Sequence, residues 1–314
     1  MNPLDLRSND PPLIVCIGSG GVGKTTLAAA LGLVSAEAGH DTLVMTFDPS
    51  LRLKDALGVG SVAHGEEVAV PTTFGSDSGT LAASLLDARK TFDRLVTRYA
   101  PDDEARDRIL GNRFYDHLAG HLGGILEYMA VERLYEVATE GRFDRIILDT
   151  PPTRQAIDFL EAPQRIVSFL DSGALKIALR PWFDDDGRLK SANRLQFVSR
   201  GLEAFLDRMV GLQLLRDMSE FFRAFEPLFA GFRERAKKVE ALLAERTTIF
   251  VLVTGPGEAR IPDTLFFARR LQEAGWNLGP VVVNRIHPTF ESTAQDAGDR
   301  FEEGRRLFYW LGER

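Results

Sequence analysis

Residues Leu13 to Thr26 read LIVCIGSGGVGKTT, and this stretch decides the fold. Leu13 to Ile17 is a run of mostly branched apolar side chains ending at a glycine, the pattern of a strand covered on both faces of a parallel sheet. Gly18, Gly23, Lys24 and Thr25 then fit G-x-x-x-x-G-K-[ST]. In that pattern glycines let successive backbone N–H groups converge on phosphate oxygens, the lysine adds a point charge and the hydroxyl is left for magnesium. From Thr25 to Ala38 alanine and leucine recur at helical spacing until Gly39 stops them. Strand, loop and helix in this order put a helix N-terminus, with its partial positive charge, where the anion would sit. A glycine turn without a ligand is the bland alternative, and both flanking elements weigh against it. Gly20, Gly21, Val22, Gly23, Lys24, Thr25 and Thr26 are therefore the expected cradle for the phosphates of ATP, with Thr25 a magnesium ligand and Lys24 the catalytic cation.

Outward from this unit, Thr42–Phe47, Leu81–Leu86, Arg145–Leu148, Ile249–Val253 and Val281–Val283 read as further short apolar strands, alternating with helical stretches. The pattern predicts an α/β fold, a doubly wound, mostly parallel sheet. Between Asp87 and Glu140, and between Glu161 and Glu245, the helical pattern runs longer than a crossover requires. One domain over 1–314, with helical insertions about 87–140 and 161–245, is the expectation. Gly58–Gly79, rich in glycine, serine and threonine, reads as a loop with at most one irregular strand.

With 314 residues and 44% apolar side chains the chain can bury a substantial core. A formal net charge of −7, from 45 acidic against 38 basic residues, offers no global attraction to nucleic acid or to an anionic membrane. No apolar run approaches membrane-spanning length, and the first twelve residues lack a secretory pattern. The single cysteine, Cys16, lies in the apolar run and reads as a small hydrophobe rather than a disulfide partner. These features together predict a cytoplasmic protein.

Ligands of an open parallel sheet lie beyond the carboxyl ends of its strands. Asp48 and Asp149 both fall there. Asp149 is placed to hold magnesium directly or through a coordinated water, and Asp48 to orient or deprotonate the attacking water. Capping of a turn or helix is the alternative for each, since Pro49 and Thr150-Pro151-Pro152 follow them.

Gly20 to Thr26, then Thr46-Phe47-Asp48-Pro49, then Asp149-Thr150-Pro151-Pro152-Thr153, then Val282-Val283-Asn284-Arg285 occur in the order of a known family. The chain resembles the arsenite-pump and tail-anchored-protein-targeting ATPases, a branch of the dimeric P-loop ATPases. Leu85-Leu86-Asp87, Glu127 to Ala130 and Asp158 to Pro163 look like its bacterial anion-transporting subgroup. The resemblance implies Asp48 as the water-activating switch residue, Asp149 as the outer magnesium partner and Asn284 as the side chain that reads adenine. An asparagine ending a strand is otherwise a common turn former.

Three departures from the family pattern stand out. Its dimer-bridging lysine is Ser19 here, with Arg52 and Arg154 as candidate substitutes and solvated surface roles as their alternative. Neither a cysteine pair for a shared zinc nor a cysteine triad for arsenite is present, which disfavours arsenite extrusion. Ser50-Leu51-Arg52 also differs from the usual switch run.

The stretch Phe197–Leu243 holds Phe205, Met209, Leu212, Phe221, Phe222, Phe225, Phe229 and Phe232. The resemblance reads it as an apolar groove for a hydrophobic client protein, whereas the same spacing fits ordinary core. Asp184-Asp185-Asp186 reads as a solvated turn rather than a metal site. The combined expectation is a MgATP-dependent ATPase of slow turnover, a homodimer or a heterodimer with a paralogue, in which the nucleotide state switches partner binding. Two alternatives are a nucleotide-dependent interaction module with little hydrolysis and a small-molecule phosphotransferase.

Overall fold

The computed structural model describes residue 6 and residues 12–48, 52–59, 65–115, 125–152, 154–171 and 212–286. Seven strands form one sheet: β1 (Leu13–Gly18), β2 (Thr42–Thr46), β3 (Glu67–Ala69), β4 (Leu81–Leu85), β5 (Arg145–Asp149), β6 (Thr248–Thr254) and β7 (Leu278–Val283). Their spatial order is β3-β4-β2-β5-β1-β6-β7. Every pairing is parallel except that of β3, a three-residue antiparallel edge strand inside the expected glycine-rich loop. The doubly wound, mostly parallel α/β sheet read from the sequence is the fold found.

Because alternate side chains of a strand face opposite ways, the sheet must be covered twice. Leu13, Val15 and Ile17 of β1 enter one core, and Ile14 and Cys16 the other. Over the second face lies α1 (Lys24–Glu37), whose Ala28, Ala29 and Ala36 bring its backbone close to the strands. A short α2 (Arg52–Leu57) adds Leu53 to that layer. Over the first face lie α3 (Ala88–Tyr99), α4 (Asp103–Leu110), α5 (Ile125–Glu140), α6 (Arg154–Leu170), α7 (Leu212–Phe225) and α8 (Phe229–Ala244), with α9 (Ile261–Glu273) flanking β1, β6 and β7. Local chemistry starts two of these helices: the Asp87 carboxylate accepts from the Lys90 N–H at 2.9 Å, and Asp102 from the Ala105 N–H at 2.7 Å. Among the described residues no helix is long and apolar enough to cross a membrane.

One sequence reading needs correction. The last strand begins at Leu278, three residues before the expected Val281, and it is a half-exposed edge. Gly279 and Pro280 carry turn signals. At an edge, however, the missing proline N–H is tolerated, and the pairing with β6 shifts register between Phe250 and Leu252 to fit it.

In the aromatic stretch the ordinary-core alternative is the one found. Phe221, Phe225 and Phe232 are buried, with Phe221 stacked on Phe225 at 5.2 Å and Phe225 set edge-on to Phe232 at 4.9 Å. Phe92 of α3 and Tyr128 of α5 join the same assembly. Phe222 and Phe229 are part-buried against it. These rings form core between helices, the ordinary alternative to a groove. Phe205, Met209 and the Asp184–Asp186 run lie outside the described residues, as does the side chain of Leu212.

The chain divides into two compact units, Met1–Asn284 and Arg285–Arg314, and all the elements named above belong to the first.

Candidate nucleotide site

The turn from β1 into α1 is held open by its lack of side chains. At Gly18 a Cβ would come within 2.1 Å of the Val253 carbonyl oxygen on β6, so only glycine lets the loop leave the sheet here. Gly23 has a φ of 91°, and a Cβ there would meet the Asn284 amide nitrogen at 2.3 Å. Behind this turn α1 begins at Lys24, its first N–H groups facing the loop.

Lys24 is buried, and its ammonium donates to the Ser19 carbonyl at 3.0 Å. The lysine thus bridges its own loop, at the place where phosphate oxygens could take over from a carbonyl. Burial lowers its pKa from the ordinary lysine value, with Asp149 and then Asp48 acting in the opposite direction. Ser19 is buried as well, and it serves Lys24 through its backbone.

Parallel register brings the remaining groups to the same edge. Asp149 ends β5 opposite both Cys16 of β1 and Thr46 of β2. Its Oδ2 accepts from the Thr25 hydroxyl at 2.8 Å and from the Thr46 hydroxyl at 3.0 Å. Its Oδ1 is buried and has no hydrogen-bond partner. Burial pushes the Asp149 carboxyl up from the usual carboxylate range, against the hydrogen bonds from Thr25 and Thr46 and the charge of Lys24. A buried carboxylate oxygen left without a donor is costly, and it marks a place where a donor belongs.

That orphaned oxygen is the test of fit for magnesium. Thr25 supplies a hydroxyl and Asp149 an acceptor for a metal-bound water, the donor set expected when phosphates provide the other ligands. Among the described residues no group of three or more His, Cys, Asp or Glu side chains could hold a metal by itself. The residues therefore fit a magnesium ion that arrives with a nucleotide.

Asp48 follows β2 with its side chain about one-fifth exposed, and its backbone N–H donates to the Thr46 hydroxyl at 3.2 Å. Arg52 stands 3.9 Å from Asp48 Oδ2, but its side chain is 69% exposed, so it is a solvated neighbour. Arg154 opens α6, and its side chain lies outside the described residues, as do Pro49, Ser50 and Leu51. Asn284 is fixed twice: its backbone N–H donates to the Thr254 carbonyl at 2.8 Å, and its side-chain amide donates to the Val22 carbonyl at 2.9 Å. Gly20, Gly21 and Thr26 lie exposed along the loop, while Val22 is buried beneath it. The structure thus brings Lys24, Thr25, Asp149 and Asn284 to one loop, with Asp48 beside them.

The roles of two further groups escaped the sequence reading. Thr150 donates to the Cys16 carbonyl at 2.7 Å and pins the segment after β5 to β1. Thr46 joins Asp48 to Asp149. Its signals in the sequence are its place in the Thr46-Phe47-Asp48-Pro49 run and a hydroxyl two residues before Asp48.

A family model described as anion-transporting ATPase matches residues 12–306. The chain is 28% identical over 308 residues to ATPase ARSA1 of Chlamydomonas reinhardtii, covering 92% of this chain but 36% of that protein. It is 26% identical to ATPase GET3C of Arabidopsis thaliana, covering 92% of this chain and 71% of the plant protein. Against ATPase get3 of Neurospora crassa the identity is 25%, over 86% of this chain and 71% of the fungal protein. The chain therefore spans about a third of the algal relative's length and under three-quarters of the other two. With a match running through nearly all of its length, from the first strand past Asn284, this chain belongs to the anion-transporting ATPase family.

Proposed function

We propose that the chain is one P-loop domain, with helical insertions about 87–140 and 161–245, that binds MgATP and hydrolyses it slowly to ADP and phosphate. The observation that carries this reading is Asp149. One of its oxygens accepts from two hydroxyls and the other is buried without a donor among the described residues, next to a glycine loop whose lysine donates to a backbone carbonyl. Such an arrangement is costly when empty and well suited to a polyphosphate with its metal.

In this reading the backbone N–H groups of Gly20 to Thr26 cradle the phosphates, and Lys24 exchanges the Ser19 carbonyl for phosphate oxygens. Thr25 and Asp149 hold the magnesium ion. Magnesium supplies neutralisation of charge on the phosphates. Asp48 orients the attacking water and takes its proton. Asn284 has spent one amide hydrogen on Val22, so a second hydrogen and the carbonyl oxygen are left to offer an adenine edge.

Nucleotide state reaches the rest of the molecule through packing. Phe47, between Thr46 and Asp48, is buried against Phe159 of α6 at 4.8 Å between ring centroids. A shift at either aspartate is then felt by the helix that follows β5. Operation as a cytoplasmic homodimer or as a heterodimer with a paralogue, with partner binding timed by turnover, completes the proposal; the word ATPase in the name of ATPase GET3C supports the hydrolysis. Arsenite as cargo finds no support in this chain, whose one thiol is buried in β1 and whose pKa burial pushes upward.

Phosphate release from purified protein tests the reading. Wild type should release phosphate only with magnesium. Asp48→Asn should keep ATP binding and lose about 100-fold in turnover, the scale of a lost general base. Binding without release in wild type would favour the interaction module, and a product carrying the transferred phosphate would favour a phosphotransferase.

A further inference from the structure

We infer that Thr46 is a positioning residue of this site: its hydroxyl couples the magnesium carboxylate Asp149 to the switch residue Asp48. The inference rests on the MgATP reading and assigns a device within it.

Thr46 is the last residue of β2 and is 1% exposed. A hydroxyl has one hydrogen to give and lone pairs to receive. Here the hydrogen goes to Asp149 Oδ2 at 3.0 Å, because an ionised carboxylate can only accept, and a lone pair takes the Asp48 N–H at 3.2 Å. The polarity is therefore fixed in one direction, from the Asp48 backbone through Thr46 to Asp149. Thr25 donates to the same Oδ2 at 2.8 Å. Two donors on one oxygen fix the plane of the carboxyl group and leave Oδ1, buried and unpartnered, as the oxygen that meets the metal's water.

The two donors are not equivalent. Thr25 is shared with the metal site, whereas Thr46 reaches Asp149 from the adjacent strand and remains bound to it whether or not metal is present. Thr46 thus keeps Asp149 aimed before magnesium arrives. A donor at Oδ1 would complete the carboxylate's partners, so that Asp149, the Thr46 hydroxyl and the Asp48 N–H are ordered as one hydrogen-bonded chain. Asp48 is held in place when magnesium is bound.

The bland alternative is that Thr46 is a packed strand residue satisfying its own buried hydroxyl. Thr46→Val keeps the branched shape and removes the hydroxyl, so it separates the two. ADP affinity would be measured calorimetrically with magnesium and with EDTA, for wild type, Thr46→Val and Thr46→Ser, alongside kcat, KM and the thermal midpoint. The affinity gain from magnesium should shrink about tenfold in Thr46→Val, the worth of one hydrogen bond to a charged group. Its EDTA affinity should be unchanged, its kcat lower, and Thr46→Ser close to wild type. An unchanged magnesium gain in Thr46→Val, or equal loss with and without magnesium, would overturn the inference. If Thr46→Val does not fold, Thr46→Ser against Thr46→Ala isolates the hydroxyl: the serine variant must keep the magnesium gain and the alanine variant must lose it. Wild-type protein that binds no nucleotide would instead sink the MgATP reading itself.

Discussion

Gly23 shows how much of this site is decided by single residues. Its φ of 91° strains any L side chain, and the space a Cβ would need is held by the Asn284 amide at 2.3 Å. Gly23→Ala should therefore cost about 1–3 kcal/mol in denaturant unfolding, and it should weaken MgADP binding by displacing Asn284 from Val22. Wild-type affinity in that variant would contradict the account of the loop. Gly18, Gly23, Lys24 and Thr25 were legible from spacing alone, since phosphate recognition by a turn is local chemistry. The roles of Thr46 and Thr150 were not. Thr46 meets Asp149 across 103 residues of chain, through a register between β2 and β5 that no short stretch encodes. Asn284 was legible as a site residue only through resemblance, and its grip on Val22 spans 262 residues.

Among elements, the packing of α8 on α5 turns on one buried ion pair. Arg235 donates from Nε to Glu132 Oε2 at 2.6 Å, and its guanidinium lies over the rings of Tyr99 and Phe232 at 4.2 and 4.9 Å. Tyr128 donates to the same carboxylate. Burial raises the Glu132 carboxyl above its usual value of 4.5, with Arg235 working in the opposite direction. Arg235→Met should destabilise the fold by about 3 kcal/mol at pH 7, because it leaves a buried charge without its partner. Glu132 without Arg235 has its folded pKa raised further above the unfolded one. The folded variant therefore binds more protons than the unfolded chain, and its deficit should shrink from pH 7 to pH 5. Urea unfolding at the two pH values checks this; equal deficits would contradict it. Element types were legible where apolar period was clean, as in β1, β2 and α1. The start of β7 was not, because Gly279 and Pro280 carry turn signals that an edge position tolerates. Periodicity also could not tell a client groove from core at Phe221, Phe225 and Phe232, since both need the same spacing. Neighbours from elsewhere in the chain settle these rings as core: Tyr115 at Phe221, Phe92 at Phe225 and Tyr128 at Phe232.

At the scale of the molecule, parallel register and strand order do the gathering. With β1 between β5 and β6, and β2 beyond β5, the carboxyl ends of three strands deliver the phosphate loop, Asp149 and Thr46 to one edge. The helices over the first face bury the aromatic core and leave that edge to the loop. The doubly wound class was readable because short apolar strands alternate with helical stretches, a pattern few other architectures share. Strand order was not readable, as it depends on crossovers rather than on any one segment. The central claim is that Lys24 and its glycine turn hold a triphosphate with its metal. Calorimetric titration of a non-hydrolysable magnesium–ATP analogue into wild type and Lys24→Ala tests it most directly. Saturable binding to wild type, weakened about 100-fold in Lys24→Ala by loss of a charge-assisted contact, is the predicted result; no heat with folded wild type, or equal affinity in the two proteins, would contradict it.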